Sequence, residues 1–98
     1  MEEALRTVAA EFLVREAGPQ SLITVTRVLL NDDGSQGHIL ITVLPDSREE
    51  EALNFANRQR REFRAFFEKR VRGMRLPHIE FVIDRGEKNR QRLDELSQ

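Results

Sequence analysis

Residues 47–74 read SREEEALNFANRQRREFRAFFEKRVRGM, and this stretch decides the fold. Its apolar side chains recur at helical spacing and fall on one stripe: Leu53, Ala56, Phe63, Phe67, Val71 and Met74. Ser47 and Glu50 have the spacing of a capping box at the start. Gly73 is placed to end the helix after about Arg72. The stretch therefore predicts one long central helical region.

The length of this region argues against a straight helix. At 1.5 Å per residue, about 25 residues would extend about 37 Å, which is longer than a domain of this size is wide. Arg60 would also fall inside the apolar arc of a continuous helix. We therefore predict a break or bend between Asn57 and Arg61, where core packing is weakest.

The segments before the central helix predict a helix followed by a β-hairpin. The first helix carries an apolar stripe that includes Phe12 and Leu13, with Glu11 and Arg15 spaced as an ion pair, and Gly18-Pro19 ends it. Residues 22–30 (LITVTRVLL) predict a strand, and a change of phase at Thr26-Arg27 predicts either a β-bulge or an early end of this strand. Residues 31–35 form a turn cluster ahead of a second alternating strand that contains Ile39, Ile41 and Val43.

The segments after the central helix predict a third strand and a short last helix. Ile79, Phe81 and Ile83 alternate, and Asp84 with Glu87 has capping spacing ahead of Leu93 and Leu96. The fold class is thus α+β, with a three-stranded mixed sheet covered on one face by helices. The predicted core is Phe12, Val25, Ile41, Phe63, Phe67 and Phe81.

Composition limits the class of protein. The chain has 98 residues, enough for a single domain over 1–98, and 16 basic against 17 acidic side chains. It has no cysteine, which excludes disulfides and thiolate sites. No apolar run approaches the ~20 residues of a membrane span, and the first residues lack a signal-peptide pattern. We expect a cytoplasmic monomer that makes no membrane contact.

Candidate catalytic residues are few. His38 and His78 are the only histidines, and neither has a second ligand at metal spacing, so both are interpreted as surface or strand residues. Asp32 and Asp33 precede Gly34 and are interpreted as turn residues rather than a metal pair. No nucleotide-binding, hydrolase or metalloprotease motif is found. The sequence predicts neither an enzyme nor a cofactor.

Charge is unevenly distributed. Residues 1–50 carry a net charge of −5, whereas residues 58–75 carry +6, from eight cations and two glutamates. The eight cations are the candidate RNA-binding residues: Arg58, Arg60, Arg61, Arg64, Lys69, Arg70, Arg72 and Arg75. On a continuous helical wheel six of them share an arc of about 140° opposite the apolar stripe, while Arg60 and Arg70 fall inside the apolar arc.

Two interpretations of this basic face remain open at this point. A helix must expose some polar side chains, and arginine is a good helix former, so the face could be simply solvated. A solvated face normally mixes charges of both signs, however, whereas six cations on one face suit phosphate groups. All six aromatic residues are phenylalanines, and Phe63 and Phe67 are needed by the core, so stacking on bases is not evident. Binding through phosphates and shape favours structured RNA.

Several segments, taken in order, resemble the bacterial ribosome-binding factor A family. They are the helix followed by Gly18-Pro19, the strands at 23–26 and 41–44, the segment 76–84 (LPHIEFVID) and the segment 92–96 (RLDEL). The resemblance covers nearly all of residues 4–96. It departs from the family at the helix break, where Gln59, Arg60 and Arg61 replace an alanine-any-glycine motif. It also departs at the turn Gly18-Pro19-Gln20, where the family has aspartate-proline-arginine.

The resemblance implies a type II KH fold, ordered helix-strand-strand-helix-helix-strand. It also implies a non-catalytic assembly factor that binds the immature small (30S) ribosomal subunit and promotes maturation of 16S rRNA. In this hypothesis the basic helix docks on rRNA phosphates, and the acidic N-terminal half is turned away from the RNA. The alternative is a protein–protein interaction module on the same scaffold, in which the arginines would be paired with acidic neighbours.

Overall fold

The architecture is a three-stranded sheet with helices packed on one of its faces. The computed structural model describes residues 1–16 and 21–86. Helix α1 spans Glu2–Glu16, strand β1 Leu22–Leu30 and strand β2 Gln36–Leu44. Helices α2 (Glu49–Arg58) and α3 (Arg60–Arg70) then lead to strand β3 (His78–Ile83). The order of elements up to β3 agrees with the order predicted from the sequence.

Strand β2 is the centre of the sheet. It pairs antiparallel with β1 and parallel with β3, so the sheet is mixed, as predicted. The parallel register sets Gln36 opposite His78, and the His78 N–H donates a hydrogen bond to the Ser35 carbonyl oxygen at 3.0 Å. The turn at 31–35 and the start of β3 therefore lie at the same end of the sheet.

The buried side chains of the described segments form one cluster between the sheet and the helices. All six residues of the predicted core are buried in it. Phe63 lies at its centre: its ring centroid is 5.4 Å from that of Phe12, 6.2 Å from that of Phe67 and 5.9 Å from that of Phe81. One side chain thus joins α1, α3 and β3, and the prediction of a shared core is confirmed.

The predicted bulge in β1 is also confirmed. The register with β2 shifts between Val25 and Arg27. The Thr26 hydroxyl donates a hydrogen bond to Oδ2 of Asp84 at 2.6 Å. Asp84 is buried, and its backbone N–H donates to the Ile41 carbonyl oxygen. Because the extra residue brings Thr26 to Asp84, the bulge fixes the chain where β3 ends.

The helix break is confirmed, and its geometry explains why it needs no glycine. Gln59 separates α2 from α3 with φ −92° and ψ 11°. This conformation is open to any L-residue, because only a positive φ favours glycine. The Gln59 N–H donates to the carbonyl oxygens of Phe55 and Ala56, and its own carbonyl oxygen accepts from the Phe63 N–H.

Four details of the sequence prediction are wrong. A 3₁₀ turn at Asp46–Arg48 precedes α2, which has no side-chain cap, so Ser47 and Glu50 form no capping box. Helix α3 ends at Arg70, because Val71 adopts an extended conformation, and Gly73 takes its positive φ of 83° in the following turn. Met74 is therefore exposed rather than buried. Glu11 pairs with Arg70 instead of Arg15.

Two predicted features lie outside the described residues. These are the turn at Gly18-Pro19 and the part of the last helix from residue 87 onward.

Candidate nucleic-acid interface

The break at Gln59 divides the basic segment between two helices, so a single helical wheel no longer applies. All eight predicted RNA-binding cations are exposed. Arg58 is the last residue of α2, and Arg72 and Arg75 lie in the segment that follows α3. The other five cations belong to α3: Arg60, Arg61, Arg64, Lys69 and Arg70. The prediction that six cations share one helical face is therefore wrong. On a continuous wheel Arg60 falls in the apolar arc, which is why the sequence predicts a break at this point. With the helix divided, Arg60 and Arg70 are both exposed.

The first basic surface lies between α3 and the start of β3. A cleft of about 290 Å³ is lined there by Arg60, Arg61, Arg64, Leu76, His78 and Ile79. An adjoining cleft of about 410 Å³ extends to the hairpin turn and is lined by Gly34, Ser35, Arg64, Arg75, Leu76, Pro77 and His78. Arg64, Leu76 and His78 border both clefts. We call Arg60, Arg61, Arg64 and Arg75 the cleft group.

Two members of the cleft group, Arg60 and Arg64, hydrogen-bond to neutral backbone carbonyl oxygens rather than to carboxylates. Arg60 donates through Nε to the Asn57 carbonyl oxygen at 3.0 Å and through Nη1 to the Ile79 carbonyl oxygen at 3.4 Å. Arg64 donates through Nη1 to the Leu76 carbonyl oxygen at 3.5 Å. A guanidinium has five N–H donors, so each of these side chains keeps donors for a ligand. Among the described residues, no acidic side chain lines either cleft.

Asn57 holds the helix break against β3. Its side-chain amide donates to the Phe81 carbonyl oxygen, and its side-chain oxygen accepts from the Phe81 N–H, both at 3.0 Å. Because Arg60 also reaches the Ile79 carbonyl oxygen, two side chains from the junction of α2 and α3 are hydrogen-bonded to β3. These bonds fix the start of α3, and with it Arg61 and Arg64, relative to the strand.

The hairpin turn closes the far end of the second cleft. Asp33 accepts hydrogen bonds from the Ser35 N–H at 2.9 Å and from the Ser35 hydroxyl at 2.6 Å. These bonds lower the pKa of the Asp33 carboxyl below its ordinary value. The interpretation of Asp33 as a turn residue is therefore supported. The turn belongs to the acidic half of the chain, so that half is not wholly turned away from the basic surface.

The second basic surface lies between α1 and α3 and carries both signs of charge. A cleft of about 360 Å³ is lined there by Phe12, Arg15, Glu16, Glu62, Ala65, Phe66, Lys69 and Arg70. Arg70 pairs with Glu11 at 2.7 Å between Nη1 and Oε2, and its Cζ lies 4.6 Å from the centre of the Phe66 ring. We call the three cations that line this cleft, Arg15, Lys69 and Arg70, the paired group, after the ion pair made by Arg70.

Sequence reasoning missed Asn57, His78 and Ser35 as parts of the basic surface. Their placement depends on how β3 docks beside β2, and no local pattern reports that register. Within residues 1–16 and 21–86, no three histidine or acidic side chains are placed to hold a metal ion. No helix in the same part of the chain is long and apolar enough to cross a membrane.

Comparison with known proteins identifies the family. The family model described as ribosome-binding factor A matches residues 1–97. This chain belongs to the ribosome-binding factor A family. Ribosome-binding factor A of Fervidobacterium nodosum is 27% identical over an alignment of 92 residues, and the match covers 88% of this chain and 74% of the relative. The family resemblance noted in the sequence is thus confirmed.

Solved structures of ribosome-binding factor A share the fold. The crystal structure from Thermus thermophilus has a TM-score of 0.72 and 34% identity, covering 84% of this chain and 90% of that one. Another match is a homology model of the T. thermophilus protein that was fitted into a cryo-EM map of a 30S–ribosome-binding factor A complex. It has a TM-score of 0.73 and 33% identity, and the match covers 86% of this chain and 91% of that one. The solution structure of a Thermotoga maritima protein, described as a putative ribosome-binding factor A, has a TM-score of 0.68 and 26% identity, with 83% and 80% covered.

Proposed function

We propose that this chain is a cytoplasmic, monomeric assembly factor that binds the immature 30S ribosomal subunit and promotes maturation of 16S rRNA without catalysing a reaction itself. The observation that carries the proposal is its similarity to the T. thermophilus protein, whose homology model was fitted into the map of a 30S complex. The clefts between α3 and β3 supply a surface with the charge that rRNA requires.

The proposed RNA contacts are the eight cations between Arg58 and Arg75, with the cleft group at the centre. All four side chains are exposed, and Arg60 and Arg64 are held against neutral carbonyl oxygens while keeping N–H donors for phosphate oxygens. Arg58 and Arg72 flank this surface as further phosphate contacts.

Recognition rests on phosphates and shape rather than on bases. Phe12, Phe63, Phe67 and Phe81 are buried, so their rings offer no stacking platform. With about five phosphates neutralised, the logarithm of affinity falls against the logarithm of salt concentration with a slope of roughly −3.5 to −4.5. Such contacts position a protein on structured RNA without reading its sequence.

One observation favours the alternative, a protein-interaction module. Arg70 is already paired with Glu11, so part of the basic segment is engaged inside the protein. Pairing of this kind is what the alternative requires of the whole segment. Within the part of the chain that the structure describes, no acidic side chain pairs with the cleft group, and this favours the RNA-binding function over the alternative.

Gradient sedimentation of a bacterial lysate tests the proposal. We expect the protein to travel with free 30S subunits at low salt, and to leave them when Arg61 and Arg64 are replaced by glutamine. A protein that stays at the top of the gradient at every salt concentration contradicts the proposal. If the double variant sediments with 30S subunits as fully as the parent, the interaction-module alternative takes precedence.

Maturation without catalysis is tested separately with purified immature 30S subunits. We expect the protein alone to leave the ends of the precursor 16S rRNA unchanged, and to speed their trimming when processing nucleases are added. Trimming by the purified protein alone would show that it is an enzyme.

A further inference from the structure

The two histidines of the chain lie on neighbouring parallel strands but in different surroundings. His38 lies on β2 opposite Glu80 of β3, with 3.9 Å between Nε2 and the Glu80 Oε2, and its side chain is 54% exposed. His78 is the first residue of β3, is exposed, and lines both clefts between α3 and β3. Only His78 therefore belongs to the candidate RNA surface.

The groups that face His78 are mostly cationic. Helix α3 contributes Arg60, Arg61 and Arg64 to the clefts that His78 lines, and the segment before β3 contributes Arg75. The hairpin turn contributes Ser35, which is hydrogen-bonded to Asp33, the acidic group on that side. On β2 the residue opposite His78 is the neutral Gln36.

We propose that His78 is a phosphate-binding residue of the RNA interface, and that it adds one positive charge to the cleft group when it is protonated. This inference rests on the function proposed above. Arg64 lines both clefts together with His78, so a phosphate bound by Arg64 lies beside the imidazole. An imidazolium N–H can donate to an oxygen of that phosphate. The hydrogen bond from the His78 N–H to Ser35 fixes the backbone at this position.

The sign of the pH effect follows from linkage. Histidine changes its charge between about pH 5 and 8. RNA is an anion, so it binds the protonated form of His78 more tightly, and affinity rises as the pH falls. One additional phosphate contact steepens the salt slope by about 0.7–0.9. At 0.1 M salt, this corresponds to a gain in affinity of about fivefold to eightfold on the same counterion argument.

The test measures the affinity of the protein for a fluorescently labelled RNA stem–loop at pH 5.5 and pH 7.5 in 0.1 M salt. We expect the parent and the matched control His38→Gln to bind more tightly at pH 5.5. His78→Gln is expected to bind equally at both pH values, at the level of the parent at pH 7.5. His78→Lys carries a permanent charge, and we expect it to bind at pH 7.5 as tightly as the parent does at pH 5.5.

The remaining outcomes separate this inference from the proposed function. If His78→Gln keeps the full gain at pH 5.5, or if His38→Gln abolishes it, His78 is not the residue responsible and the inference is wrong. The proposed function survives that result as long as Arg61→Gln/Arg64→Gln weakens sedimentation with 30S subunits at pH 7.5. If the parent binds neither the RNA nor 30S subunits at either pH, both proposals fail.

Discussion

The two basic surfaces of this protein share α3 but hold their charges in different ways. In the cleft group, Arg60 and Arg64 donate to backbone carbonyl oxygens, which are neutral, so the full charge of each guanidinium faces solvent. In the paired group, Arg70 meets the Glu11 carboxylate and the Phe66 ring, so its charge is largely satisfied within the protein. We therefore expect the partner of each arginine, and not the number of arginines, to decide how much that arginine contributes to RNA binding.

We expect the largest effect from a substitution in the hydrophobic core on which both basic surfaces rest. Phe63 is fully buried between Phe12 of α1 and Phe81 of β3. Replacing it with alanine should lower the free energy of unfolding by about 3–5 kcal/mol, because a large ring leaves a cavity in the core. Urea denaturation measures this loss. Phe66→Ala is the control, because the Phe66 ring is only partly buried. If Phe66→Ala lowers the free energy of unfolding as much as Phe63→Ala does, Phe63 is not the centre of the hydrophobic core.

Two double variants, each of which removes two charges from α3, test whether the cleft group contributes more to RNA binding than the paired group. Arg61→Gln/Arg64→Gln should flatten the salt slope by about 1.4–1.8 and weaken RNA binding about 25- to 60-fold at 0.1 M salt. Lys69→Gln/Arg70→Gln should weaken binding less, because Arg70 is paired with Glu11. Fluorescence anisotropy at several salt concentrations measures both. Equal losses in the two variants would show that pairing makes no difference to binding.

Asn57 provides a test of how the cleft is positioned. Asn57→Ala leaves the N–H and carbonyl oxygen of Phe81 without their side-chain partners, and should cost about 1–3 kcal/mol of folding free energy. Asn54→Ala, at an exposed position of the same helix, gains the same helix propensity and should cause no loss. Thermal unfolding of both variants gives the difference. Similar melting temperatures would mean that the contact with Phe81 contributes nothing.

The smallest effect concerns the paired group. Arg70→Gln should lower the free energy of unfolding by about 0.5–1 kcal/mol, since an exposed ion pair and a cation–π contact are each weak. Arg61→Gln serves as its control and should leave stability nearly unchanged. Urea denaturation should show the loss for Arg70→Gln shrinking as salt is added, because salt screens the pair with Glu11. A loss that does not depend on salt would assign the effect to packing on Phe66.

The sequence predicted most of the fold because the relevant signals are local. The alternation of Ile39, Ile41 and Val43 reported a strand with one buried face, and the phase change at Thr26 reported the bulge. The break near Gln59 followed from helix length. Gln59 adopts a conformation that does not require glycine, so the helix breaks here although the glycine of the family motif is missing. Each of these predictions needed only neighbouring residues.

The candidate site was less predictable because it depends on contacts between distant residues. The helical wheel assumed one continuous helix, and a turn at Gln59 removes the phase relation between Arg58 and the cations that follow. The pairing of Arg70 with Glu11 joins residues 59 positions apart. The approach of His78 to the hairpin turn follows from the parallel register of β3, which no periodicity reports.

The contacts of Asn57 and Arg60 with β3 also bear on the solubility of the protein. β3 is an edge strand, and an uncovered edge offers backbone groups to which a strand of another chain can add. Here the Ile79 carbonyl oxygen and both backbone groups of Phe81 are occupied by side chains from the helix junction. The junction that orients the arginines therefore also guards this edge against aggregation.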